Sequence, residues 1–244
     1  MLDLFYGAMP YAAVLVFACG VLVIGGLVWL RCPDPESTAA EWSKLFSAVA
    51  LWRWGVAAVI LGHAVMVLFP QRVLAWNGVA LRLYLLEAAG FAAGIAACAG
   101  WVQIVRRHLV RAGASLWEVA DSAFLSLLGA TLASGLLLAW VHRWASSWGA
   151  STLAPYTRSL LSGRPRTELV WGMPFLVRLH MAAAFATLAL LPFTRAGLVF
   201  GAVLRRAARA APASVRASLE PFRRTFSAWL RDLNLGQRLW PEED

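Results

Sequence analysis

The chain has 244 residues, of which 60% are hydrophobic and only 14% charged, and its mean hydropathy is +0.65. This is too apolar for a water-soluble domain of this length and points to lipid as the solvent. The formal charge of +9 does not indicate nucleic acid, because Lys and Arg gather at the ends of apolar runs instead of covering a soluble face.

A bilayer core about 30 Å thick needs about 20 mostly apolar residues per helix. Five such runs lie at residues 10–30, 46–69, 82–104, 121–143 and 174–200. They predict an all-α integral membrane protein built as a five-helix transmembrane bundle. The first run, PYAAVLVFACGVLVIGGLVWL, is preceded by Asp3 and by no basic residue. It lacks the charged start of a signal peptide and is expected to stay as a membrane helix. Helix-stopping clusters follow the first run (RCPDPES) and the second (FPQR) and precede the fifth (SGRPRTE). With no internal repeat apparent, residues 1–200 read as one membrane domain.

Segments 31–45, 105–120 and 201–244 hold most of the Lys and Arg, whereas the opposite loops hold only Arg72, Arg158, Arg164 and Arg166. The positive-inside rule then sets the N-terminus outside and the C-terminus inside, which fits the parity of the spans. Residues 201–244 form an Arg-rich, amphipathic cytoplasmic tail, suited either to an anionic leaflet or to a partner protein. Cys19, Cys32 and Cys98 make no CxxC pair and no CxxCH motif. That excludes cysteine-ligated iron–sulfur clusters, c-type heme and structural zinc, and leaves them as small apolar packing residues.

Polar groups inside hydrocarbon are costly and mark functional candidates. His63 lies about two helical turns before Pro70, and His180 just under two turns after Pro174. At about 1.5 Å per residue, both are about 10 Å below the same, outer boundary. His142, in WVHRW, sits at the outer mouth of the fourth run, and His108, in RRHL, at the inner surface. Only His63 and His180 share a depth on different helices, as bis-axial heme ligation requires. Gly62, Ala64 and Ala182 to Ala184 leave room beside them for a flat macrocycle, although small residues also serve plain helix packing.

Glu87 and Arg178 share this outer layer, and two readings stand side by side. Paired, they are a structural ion pair; used separately, Arg178 binds a heme propionate and Glu87 takes a proton from a quinol. Arg53 lies deeper, either as a buried ion or snorkelling to the inner surface.

The residues resemble the cytochrome b, or gamma, subunit of membrane-bound respiratory nitrate reductase. The resemblance rests on Gly62, His63 and Pro70 in GHAVMVLFP and on Arg178, His180, Pro192, Phe193 and Arg195 in FLVRLHMAAAFATLALLPFTR. GFAAG at 90–94 and RRHL add to it. The resemblance implies a five-helix cytochrome in a bacterial-type cytoplasmic membrane, with His63 and His180 as ligands of the outer heme b. The family's inner heme takes its ligands at positions that are here Arg53 and Leu198, so a single heme is implied.

It further implies a quinone-reactive electron-transfer subunit, with a membrane quinol as substrate and the iron–sulfur and catalytic subunits of an oxidoreductase as partners. Terminal chemistry would belong to those partners. A hydrogenase or heterodisulfide-reductase-like complex is the alternative within this class. A heme-free membrane anchor or small transporter is the alternative outside it, and it requires His63 and His180 to be structural.

Overall fold

A computed structural model describes residues 2–31, 35–109, 116–142 and 144–210, with 212–213, 220–221, 224–225 and 228 beyond them. Cys32 and the chain from residue 229 onward therefore lie outside the described residues. The described residues form helices and no strand: α1 (Leu2–Arg31), α2 (Pro35–Ser47), α3 (Ala50–Leu68), α4 (Pro70–Asn77), α5 (Ala80–Leu109), α6 (Leu116–Val141), α7 (Ala145–Trp148), α8 (Ala154–Leu161), α9 (Glu168–Trp171), α10 (Phe175–Leu190) and α11 (Arg195–Ala210). Five of them, α1, α3, α5, α6 and α10, are long and apolar enough to cross a membrane. The five-helix transmembrane bundle expected from the apolar runs is therefore the fold.

Helix α3 packs along α5, α5 on α6, α6 on α10, and α10 on α1. The α3–α5 approach is the closest kind, backbone on backbone. A methyl group on Gly55 would run into the main chain of Ala96 and Ala97, and one on Gly100 into that of Trp52. Without a hydrophobic drive between helices in lipid, such small-residue contacts let dispersion hold the pair. The α5–α6 seam is looser. A methyl on Gly94 would meet Leu136 Cδ1 at 3.2 Å, and Gly129 lies under the Trp101 indole, whose Nε1 donates to the Leu125 carbonyl at 2.9 Å.

The fifth run is not one helix to residue 200. Pro192 has no N–H to continue the ladder, and the chain tightens into a 3-10 turn over Leu191–Phe193 before α11 restarts at Arg195. Thr194 caps the new helix, its hydroxyl accepting the Gly197 N–H at 3.3 Å. Fully buried Asp121, near the start of α6, accepts the Arg195 N–H at 2.8 Å. The Arg195 side chain closes the clamp, 3.4 Å from Asp121 and 3.8 Å from Glu118. Beside it, an apolar core joins Trp42 of α2, Ile104 of α5, Phe124 and Leu125 of α6 and Ala196 of α11. The amphipathic α2 and α11 pack against each other at this end.

At the opposite end, residues 144–171 fold over the bundle. Trp144 takes a left-handed backbone (φ 67) to turn the chain out of α6, and a π-helical turn, Gly149–Leu153, links α7 to α8. Tyr156 donates to the Tyr6 carbonyl at 2.7 Å. Burial pushes its phenol up to about 12, so it stays a donor. The Tyr11 hydroxyl reaches the Leu160 carbonyl at 2.8 Å. Arg158 donates to the carbonyls of Val67 at 3.1 Å and Leu68 at 2.8 Å, closing the free C-terminal end of α3.

Asp121→Ala should lower the stability of the detergent-solubilised chain by about 2 kcal/mol, since charge-assisted bonds to a buried carboxylate are lost. Asp121→Asn, which keeps an oxygen for the Arg195 N–H, should lose less. Thermal melts of the two variants check this, and wild-type melting of Asp121→Ala would mean that apolar contacts alone hold α11.

Candidate cofactor site between α3 and α10

His63 and His180 come together across the bundle, their ring centroids 6.3 Å apart and their planes inclined by 29°. Each ring is held by its Nδ1. His63 Nδ1 lies 2.8 Å from the Val59 carbonyl one turn back on its own helix. His180 Nδ1 lies 3.0 Å from the Thr131 carbonyl and 3.2 Å from Ser134 Oγ, both on α6. An Nδ1–H donated to a carbonyl fixes the tautomer and leaves Nε2 as the basic nitrogen. Neither Nε2 has a hydrogen-bond partner among the described residues.

This donor set fits a metal held between two imidazoles. Two metal–nitrogen bonds of about 2.0 Å, with the ring radii added, put ring centres about 6 Å apart. Gly62, next to His63, has open space beside it: a methyl group built there would meet nothing within 4 Å. Gly135 of α6 backs the other ring, where a methyl would stand 2.9 Å from His180 Cε1. Arg178, two residues from His180, keeps a buried Nε with no hydrogen-bond partner among the described residues. Its main-chain carbonyl accepts the Tyr6 hydroxyl at 3.2 Å. A half-buried guanidinium with a spare donor suits a carboxylate such as a heme propionate.

Glu87 and Arg178 do not pair, contrary to one of the two readings of the sequence. Glu87 Oε1 instead accepts the Ser146 N–H at 2.9 Å and the Ser146 hydroxyl at 2.5 Å. Depth alone placed the two charges in one layer; α5 packs on α3 and α6, whereas α10 packs on α6 and α1. Arg53 turns toward α2, where its Nη1 donates to the carbonyl of Ser47, the last residue of that helix, at 3.0 Å. Leu198 is buried on α11.

His108 lies 3.3 Å from Ser122 Oγ and packs against Trp42. His142 stands edge-on to Trp148. Sequence reasoning missed Asp121 as a buried ion, and it missed Thr131, Ser134 and Gly135 as the seat of His180. Hydroxyls inside the fourth apolar run, spaced to face one neighbour, were the signal available.

These features define a multi-pass helical membrane protein whose polar interior gathers around two facing imidazoles near one end. The chain belongs to the nitrate reductase gamma subunit family, which it matches over residues 2–206. It is similar to the nitrate reductase gamma chain of Bacillus subtilis (strain 168), 28% identical over 216 residues that cover 83% of this chain and 93% of that protein. It is also similar to the nitrate reductase-like protein NarX of Mycobacterium tuberculosis (strain ATCC 25618 / H37Rv), 26% identical over 219 residues, 82% of this chain and 32% of that protein. The family membership expected from GHAVMVLFP and the Phe175–Arg195 segment is borne out.

Gly135→Ala should push the His180 ring from its seat, its methyl meeting Cε1 at 2.9 Å and Nδ1 at 3.3 Å. Disturbing a ligand's support typically weakens metal binding about tenfold or more. Heme retained by the purified variant, assayed as pyridine hemochrome, should fall accordingly, and full occupancy would show the ring to be free to shift.

Proposed function

We propose that this chain is the membrane-anchoring cytochrome b subunit of a nitrate-reductase-type complex, passing electrons from a membrane quinol to iron–sulfur and catalytic partner subunits. The observation that carries the proposal is the His63–His180 pair at 6.3 Å, with both Nδ1 atoms already committed to carbonyls. Bound between these imidazoles, one heme b would supply a one-electron carrier whose potential follows from axial ligation, burial and nearby charge. Arg178 would hold a propionate through its spare Nε. Thr131 and Ser134 keep the His180 ring oriented, and the Val59 carbonyl does the same for His63.

Arg53 and Leu198 offer no second ligand pair, which supports one heme per chain. Glu87 is the proton-handling residue of this reading. Its Oε1 is engaged by Ser146, while its other oxygen has no hydrogen-bond partner among the described residues. It can take a proton from a quinol hydroxyl and release it to the water at the nearby membrane boundary. With the N-terminus outside and the C-terminus inside, that boundary is the outer one. The basic segment 201–244 then faces the cytoplasm, where it contacts the partners or the membrane surface, and the membrane is the inner membrane of a bacterial cell.

Purified protein should contain one heme b per chain by pyridine hemochrome, and His63→Ala or His180→Ala should each abolish the low-spin spectrum. Two hemes per chain, or low-spin heme in either variant, would overturn the ligand assignment. Glu87→Gln keeps the shape and loses the proton site. Quinol oxidation should drop at least about tenfold, equivalent to about 1.4 kcal/mol of barrier, with heme content unchanged. Normal turnover in a fully loaded Glu87→Gln protein would leave Glu87 only its structural hold on Ser146.

A further inference from the structure

Asn77 closes α4 beside the Glu87 network, and its side chain is only half satisfied. Its Nδ2 reaches Ser146 Oγ at 3.0 Å and Ser147 Oγ at 2.9 Å, while its Oδ1 is buried with no hydrogen-bond partner among the described residues. Exchanging the nitrogen and oxygen of the amide does not help. Both serines lie on one side, so one polar atom stays dry in either orientation. A buried amide atom without a partner is costly and calls for an explanation, such as a group that binds there.

The position of Asn77 says which group. The Ser146 hydroxyl that Asn77 touches is the one that donates to Glu87. The same segment runs on to Gly149, where a methyl would stand 2.6 Å from Met66 Sδ, and Met66 is one turn from His63. The dry amide atom therefore belongs to a cluster that joins the proton-handling carboxylate to the helix carrying a proposed heme ligand.

We propose that Asn77 is a substrate-positioning residue, whose free amide atom hydrogen-bonds a quinol hydroxyl while Glu87 handles the proton. This rests on the quinol-oxidising reading above. The hydroxyl both donates and accepts, so it satisfies the amide in either orientation.

The test uses the full-length, heme-loaded chain in phospholipid nanodiscs, with heme reduction by menadiol followed by stopped flow across menadiol concentrations. Asn77→Leu, of similar size, should raise the half-saturating concentration about threefold to tenfold, the range expected for one lost hydrogen bond. The limiting rate and the heme spectrum should stay near wild type.

Inhibition of the same reaction by 1-naphthol and by naphthalene, the same ring without the hydroxyl, reads the contact directly: the preference for 1-naphthol should shrink in the variant. If Asn77→Leu fails to load heme, Asn77→Thr, which keeps one hydroxyl toward the serines, takes its place with the same expectation. An unchanged half-saturation, or an intact preference for 1-naphthol, would mean that the amide meets only water and would overturn the proposal. Wild-type heme that menadiol does not reduce at any concentration would instead sink the quinol reading, and this inference with it.

Discussion

Inside hydrocarbon a polar group cannot fall back on water, so it must find its partner within the protein. Several polar side chains here answer that demand by tying two elements together. His180 reaches from α10 to a carbonyl of α6, Glu87 from α5 to the N–H of Ser146 in α7, and Asp121 from α6 to the first N–H of α11. His63 meets the demand within its own helix, and α3 is placed by its packing on α5 and by Arg158 at its C-terminal end. The apolar faces place the five spans in lipid, and these few polar links fix how the spans and the connecting segments sit on one another.

The spans were legible in the sequence because length and apolarity decide them. Direction around a helix was not. Counting residues from Pro70 and Pro174 gave depth, and depth matched His63 with His180, which do meet. The same count matched Glu87 with Arg178, which do not, because a shared height says nothing about which faces two side chains occupy. The break at Pro192 was visible as a residue, but the run read on to residue 200 because the side chains past the turn are still apolar. Asp121 was hidden at the edge of the fourth run, where a charge reads as a helix end. Its partner lies 74 residues further along the chain, beyond any local pattern.

The two ends of the bundle are filled differently. Around His63 and His180 there are a glycine with open space beside it, a spare guanidinium nitrogen and a polar network leading to a carboxylate. At the other end Trp42, Phe46, Trp52, Phe124 and Leu125 pack together, and Arg53 is spent on the last carbonyl of α2. Bulky side chains occupy the volume there, with Ala196 of α11 among them. An empty cavity there would forfeit dispersion contacts, and these side chains keep them.

The glycine contacts have a mechanical consequence. Gly55 and Gly100 bring α3 and α5 so close that they form a single plank, with His63 on one edge. Thr131 and Thr187, 3.2 Å apart, and the His180 link bind α6 to α10 as a second plank. The two planks meet along the α5–α6 seam, where Gly94 faces Leu136 and Gly129 faces Trp101. Neither contact touches an imidazole, yet both bear on how far apart the imidazoles stand, because each lies on the seam between the helix pairs that carry them. The aperture at His63 and His180 thus depends in part on residues at a distance, with two glycines as shims.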